Sequence, residues 1–149
     1  MKVGKAVQYN SFTLYEGAFL DYDPKPTIPF ADSSFYSSTV CRLTEGAALI
    51  YSDILAAGRV KRGEVFRFRE YRSGMRIYYG KELIFLENQF LNPKEQSLEQ
   101  IGFFEGFTHQ ASLGIFYDRM KDNLINKLYD ILETVEDIQF GISKAKNTV

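Results

Sequence analysis

The feature that most constrains this chain is a nine-residue segment that returns 29 residues later. Leu14-Tyr15-Glu16-Gly17-Ala18-Phe19-Leu20-Asp21-Tyr22 recurs as Leu43-Thr44-Glu45-Gly46-Ala47-Ala48-Leu49-Ile50-Tyr51, with six of nine positions identical. A weaker third copy spans residues 77–85. In the first two copies a strand-like run lies on each side of a Glu-Gly corner, and apolar residues alternate at matching offsets. Phe12, Leu14, Ala18, Leu20 and Tyr22 correspond to Cys41, Leu43, Ala47, Leu49 and Tyr51. Side chains that point the same way in successive units can stack, burying a face that no unit could bury alone. The expectation is a mainly β, stacked or helical β-repeat structure with a period of about 29 residues.

Composition agrees with β structure and excludes several functions. There are 10 Tyr and 13 Phe but no Trp, and Tyr and Phe favour pleated, half-buried surfaces. At 149 residues the chain is one domain's length, enough to bury about 68–70% of its unfolded surface without staples. A formal net charge of -1 argues against nonspecific nucleic-acid binding. The single cysteine, Cys41, forms no internal disulfide. No signal-peptide core stands at the start, and no run approaches the ~18 apolar residues of a membrane span. A soluble, cytoplasmic protein without nucleic-acid or membrane partners is expected.

Along the chain, residues 1–117 read as the β-repeat body, with strands over 11–91. Gly17 and Gly46 supply the corners. Pro24, Pro26 and Pro29 make a rigid, extended connection between units, since closely spaced prolines forbid helix and central strand alike. Residues 65–71 read as a strand with Phe66 and Phe68 on one side, and Asn92-Pro93 as a closing turn. Residues 118–137 carry Met120, Leu124, Leu128, Ile131, Leu132 and Val135 at helical spacing, predicting an amphipathic helix N-capped by Asp118. Ile138, Phe140 and Ile142 alternate again, opening a further strand over 138–149. Both ends therefore read as cut from a single, longer domain.

Several words are more specific than a generic β protein requires. The segment Pro24-Lys25-Pro26-Thr27-Ile28-Pro29-Phe30 is followed by Leu49-Ile50-Tyr51-Ser52-Asp53-Ile54-Leu55. Then come Gly58-Arg59-Val60-Lys61-Arg62-Gly63-Glu64-Val65-Phe66, Leu91-Asn92-Pro93 and Ile101-Gly102-Phe103-Phe104-Glu105-Gly106-Phe107-Thr108-His109. In this order and at these distances they resemble the urease accessory protein UreD, or UreH, family, covering the middle of the family sequence. The resemblance implies a helical β structure and a non-catalytic maturation factor. It would bind urease apoprotein together with UreF and UreG, and help deliver nickel through a channel in the fold. Nickel would be handled transiently, with no cofactor bound stably. Family members are about twice as long.

The residues themselves leave the site open. His109, the only histidine, with Glu105 four residues earlier and Cys41, are the metal-ligand candidates. The plainer assignment is a structural histidine and a buried, apolar cysteine. Asp53, Gly58, Arg59, Gly63, Glu64, Thr108 and His109 are the partner or channel candidates. Arg59 and Glu64 form either a functional charge pair or a solvated one, and the glycines a loop with positive φ. The segment 58–64 lacks the Lys-Ser/Thr pair of a phosphate loop. Residues 59–76 are locally basic, which could steer an acidic partner. The competing function is a β-helix glycan-active hydrolase using Asp/Glu pairs drawn from Asp53, Glu64 and Glu105; that chemistry needs two carboxyls ~5–10 Å apart.

Overall fold

The computed structural model describes residues 4–144. It is mainly β, with one helix near the C-terminal end. Among the described residues, seven strands form two sheets: β1 (Lys5–Leu14), β2 (Phe19–Tyr22), β3 (Ser34–Leu43), β4 (Ala48–Ala56), β5 (Glu70–Tyr79), β6 (Glu82–Leu91) and β7 (His109–Tyr117). Sheet A has the order β1-β3-β5-β6 and sheet B the order β2-β4-β7. The pairs β1–β3, β3–β5 and β2–β4 are parallel; β6 and β7 close their sheets antiparallel.

The repeated segments sit side by side. Leu14 pairs with Leu43 in sheet A, and Phe19 with Ala48 in sheet B. Between each pair of strands the chain turns from one sheet into the other. Gly17 and Gly46, at φ 71° and 72°, occupy the third position of tight turns closed by Ala18 N–H to Tyr15 O (2.9 Å) and Ala47 N–H to Thr44 O (3.1 Å). A positive φ there, after an ordinary residue, is the type II geometry that glycine adopts without strain. The corners also bond to each other, with Thr44 N–H on Leu14 O and Ala48 N–H on Ala18 O.

A constant period does not continue. The next step pairs Ser34 with Glu70 and Leu43 with Tyr79, a longer interval, because residues 57–69 make a wider crossing. Gly80 N–H meets Leu43 O as Thr44 N–H meets Leu14 O. Tyr79 then pairs directly with Glu82 across a two-residue turn, so the third copy is a hairpin within sheet A and never crosses to sheet B. Residues 65–69 are likewise not a strand. Phe66 sits at φ 50°, its N–H on Ala57 O (2.7 Å), and the strand begins only at Glu70. The segment folds inward to bury Phe68 and pack Phe66, whose edge meets Phe104 at 4.8 Å.

Two apolar clusters lie between the sheets. One gathers Leu14, Cys41, Leu43, Leu49, Met75 and Ile77, with Phe12, Phe85 and Phe116 against it. The other gathers Leu55, Phe68, Tyr71, Leu91, Leu98 and Phe104. Gly114 makes room for Phe116, which packs against the first: a Cβ at Gly114 would lie 2.6 Å from the Phe116 ring. Leu98 and Phe104 come from the turn-rich segment after β6, so Asn92-Pro93 ends a strand but not the β region.

Helix α1 spans Leu124–Leu132, shorter than the predicted 118–137, and none of its residues is buried. Its N-cap position is Asn123, without a side-chain cap bond. Asp118 is occupied elsewhere. Its Oδ2 accepts from Gly46 N–H (2.8 Å) and from the Tyr79 hydroxyl (2.9 Å), tying the end of β7 to the second corner. Residues 138–144 form no strand: Phe140 turns back against Tyr129 at 5.6 Å. The rest of the predicted 138–149 strand lies outside the described residues.

Candidate functional site

The inner side of sheet A is not uniformly apolar. Strand alternation places Phe35, Ser37, Thr39, Cys41 and Leu43 on the face turned to sheet B. Register then aligns their neighbours. Gln8, Ser37, Ser73 and Gln89 form one row across all four strands, and Asn10, Thr39, Met75 and Glu87 the next. Seven of these eight side chains are polar, and they separate the two apolar clusters. Sheet B answers with Tyr22, Tyr51, Asp53, Ser112 and Gln110. Direct bonds cross the gap, from Ser112 Oγ to Glu87 Oε1 (3.2 Å) and from Gln89 Nε2 to Gln110 Oε1 (2.6 Å). Within sheet A, Asn10 Nδ2 donates to Thr39 Oγ1 (3.2 Å). A narrow cleft of about 90 Å3, lined by Gln8, Asn10, Ser37, Tyr51, Asp53 and Tyr71 among others, opens from this seam.

Asp53 is the seam's charged member on sheet B. Burial raises its pKa above the ordinary carboxylate value, and the Glu87 carboxylate adds to the rise; the Ile54 backbone and Tyr71 hydroxyl pull the other way. Burial also pushes Tyr51 up to about 12 and raises Tyr71, where the Asp53 charge contributes further. Two neighbouring carboxylates amid hydroxyls and amides can hold a divalent cation only weakly, since no imidazole or thiolate completes a tight set. Among the described residues there is no group of three or more His, Cys, Asp or Glu able to hold a metal ion.

The other candidates are scattered. Cys41 lies in the apolar cluster, its thiol pushed up to about 11 by burial and therefore protonated at neutral pH. His109 begins β7 on the exposed side of sheet B, its Nδ1 2.9 Å from the Thr108 hydroxyl. Glu105, at φ 51°, accepts from Gly102 N–H (2.9 Å) and shapes its own loop. The three proposed ligands do not meet. Nor do the three carboxylates of a hydrolase: Asp53 faces the seam, Glu105 the loop, and Glu64 is bound to arginine.

The words 24–30 and 58–66, read separately in the sequence, prove to be partners. Arg59 Nε donates to Glu64 Oε2 (2.7 Å) and its Nη2 to Oε1, a two-pronged pair. The guanidinium stacks over Phe30 at 4.5 Å, and Ala31 N–H reaches Glu64 Oε2 at 3.4 Å. The hydrogen bond from Arg59 holds Glu64 below its usual pKa. Gly58, at φ 131°, is where the two segments touch. A Cβ there would overlap the Glu64 carbonyl oxygen and stand 3.4 Å from Pro29 O. Gly63, at φ 72°, closes the short 3-10 turn Val60–Arg62. The proline connection runs alongside β4, with Thr27 N–H on Ile54 O (2.8 Å) and Ala56 N–H on Thr27 O (2.9 Å). Arg59 and Glu64 thus form a clasp at the surface rather than a lining of the seam.

Sequence reasoning named Asp53 but missed Gln8, Asn10, Ser37, Ser73, Glu87 and Gln89. The available signal was polar residues at the inward parity of otherwise apolar strands.

The family model described as UreD urease accessory protein matches residues 1–149. The urease accessory protein UreD of Acetivibrio thermocellus is 71% identical over 146 residues, which is 98% of this chain and 56% of that protein. The urease accessory protein UreH of Helicobacter hepaticus is 44% identical over 115 residues, covering 77% of this chain and 46% of the relative. A Staphylococcus aureus UreD is 32% identical over 127 residues, 85% of this chain and 46% of its own. The chain spans about half the length of these curated relatives.

Proposed function

This chain belongs to the UreD urease accessory protein family, and from that premise we propose that it serves urease maturation as a non-catalytic scaffold. In this reading it joins urease apoprotein with UreF and UreG, and nickel passes along the polar seam as cargo. One observation carries the proposal. The row Gln8–Ser37–Ser73–Gln89 crosses the whole width of sheet A on its inner side, with Asp53 facing it from sheet B. Gln8 is exposed and Ser37, Ser73 and Gln89 are half-buried, so the row keeps a polar, water-accessible strip between two apolar clusters and forgoes the burial free energy that apolar side chains would gain there.

The chemistry suits transfer. Hydroxyl and amide oxygens exchange with an ion's water shell at little gain, and one or two carboxylates offset its charge without trapping it. Burial and then the Glu87 charge raise the Asp53 pKa, so a cation passing along the seam would offset part of that unfavourable charge. No helix among the described residues is long and apolar enough to cross a membrane, and the reading needs none.

The test is Asp53→Asn in the full-length protein, expressed with urease and its accessory proteins. Co-purification with urease apoprotein should persist, while urease nickel content and activity fall about tenfold. Full nickel loading by the variant would remove Asp53 from the route. Failure of the unsubstituted protein to co-purify with urease would remove the scaffold role itself.

A further inference from the structure

The outer face of sheet A carries a second pattern that the seam does not use. Register stacks it in rows across the sheet: Val7–Tyr36–Arg72–Phe90, then Tyr9–Ser38–Gly74–Asn88, then Ser11–Val40–Arg76–Leu86. In the first row Arg72 lies between two rings, 5.6 Å from Tyr36 and 4.2 Å from Phe90, and Lys5 covers the other part of Tyr36 at 4.1 Å. The middle row has almost no side-chain bulk on the two central strands. Gly74 is the notable member. Its φ is not positive, and a Cβ there would meet only Asn88 Oδ1 and Glu87 O, both at 3.9 Å. Neither backbone conformation nor crowding demands glycine at this place. A glycine in mid-strand weakens the strand and commonly marks a close approach by another chain.

The result is a shallow trough with a backbone floor, walled by arginines, rings and exposed aliphatics, with Leu86 58% exposed. Its charge is one-sided. Lys5, Arg42, Arg72 and Arg76 face outward against a single acid, Glu70, which lies 3.7 Å from Arg72. Among the described residues neither Arg42 nor Arg76 has a salt-bridge partner within 4.0 Å. Rings already stacked on Arg72 fix its guanidinium in place, so an incoming carboxylate would not have to immobilise a free side chain.

We infer that this trough docks an acidic segment of a partner protein, its backbone over Gly74, its carboxylates on Arg72 and Arg76, and an aliphatic side chain against Leu86. The chain's net charge of -1 disfavours nucleic acid as the occupant, because the positive field is confined to one small patch. This inference is independent of the cation route, which runs on the opposite side of the same sheet.

The probe is a fluorescein-labelled peptide of alternating glutamate and glycine with a central leucine, titrated with the complete protein and followed by anisotropy. Saturable binding is expected, weakening as salt is raised. Gly74→Val, which fills the floor, and Arg76→Gln, which removes one wall charge, should each weaken it about tenfold. Leu113→Ser, on the outer face of sheet B, should leave it unchanged. Should Gly74→Val fail to fold by circular dichroism, the exposed Arg76 carries the test alone. No peptide binding, undiminished binding by Arg76→Gln, or tighter binding of labelled single-stranded RNA or phosphatidylserine vesicles would each overturn the proposal.

Discussion

The β sandwich and the helical end of this chain both display a regular apolar pattern, and only one of them buries it. Ile77 and Leu49 are fully enclosed between the sheets, while none of the helix residues from Leu124 to Leu132 is buried. The difference lies in what each pattern is offered. The inward positions of the central strands meet an opposing sheet at a spacing fixed by the corners, and residues 120–135 meet no comparable surface among the described residues. Periodicity thus sets which face is apolar, but tertiary geometry decides how much free energy that face contributes.

The strongest way to break the sandwich is through its clasp. Gly58→Ala places a Cβ against the Glu64 carbonyl at a backbone angle that side chains avoid, and separates the proline connection from the crossing loop. A loss of at least about 3 kcal/mol is expected in denaturant unfolding, with reduced soluble yield. A loss no greater than that of an ordinary surface substitution would show the clasp to be dispensable.

A matched pair sharpens the contrast. Ile77→Ala should cost about 2–5 kcal/mol, since the cavity left between close-packed sheets collapses poorly. Leu128→Ala, a similar loss of side-chain volume from the half-buried helix stripe, should cost under about 1 kcal/mol. Equal midpoints for the two variants in urea would mean that the helix is as well packed as the core.

The smallest effect has the opposite sign. The folded-state pKa of Asp53 is raised, chiefly by burial and then by Glu87, so the folded chain binds its proton more readily than the unfolded one. Its contribution is therefore most favourable below the unfolded carboxylate pKa, and declines as pH rises through the folded value. Asp53→Asn should raise the melting temperature modestly at neutral pH, with the gain vanishing in acid. The same variant is expected to lower urease activation, a gain in stability at the expense of function. A melting temperature that is unchanged at every pH would contradict the assigned environment of Asp53.

Much of the fold was legible because the relevant signals are local. Gly17 and Gly46 mark corners wherever a third turn residue needs positive φ, and alternation around them orients Leu14, Leu20, Leu43 and Leu49. The repeat was over-extended for an equally clear reason. Residues 77–85 resemble the earlier copies in composition, yet whether a turn leads to a second sheet or back along the first depends on which strand stands beside it. Asp118 was misjudged similarly. An aspartate before an apolar run is a good cap, but Gly46 N–H and the Tyr79 hydroxyl, both remote in sequence, compete for the same carboxylate and win. The site was the least legible part. Gln8, Ser37, Ser73 and Gln89 carry no motif, and only register makes them a row.

By itself, then, the sequence determined a mainly β chain, the position of its corners, the family it belongs to and the inward parity of its strands. Tertiary structure alone decided that the proline connection and the Arg59–Glu64 loop clasp each other, that the third repeat is a hairpin, and that scattered polar residues form one continuous seam. The reason is physical. Turn geometry and alternation depend on residues a few positions apart, whereas rows and clasps come from pairings among strands and loops well separated along the chain, which no local pattern encodes.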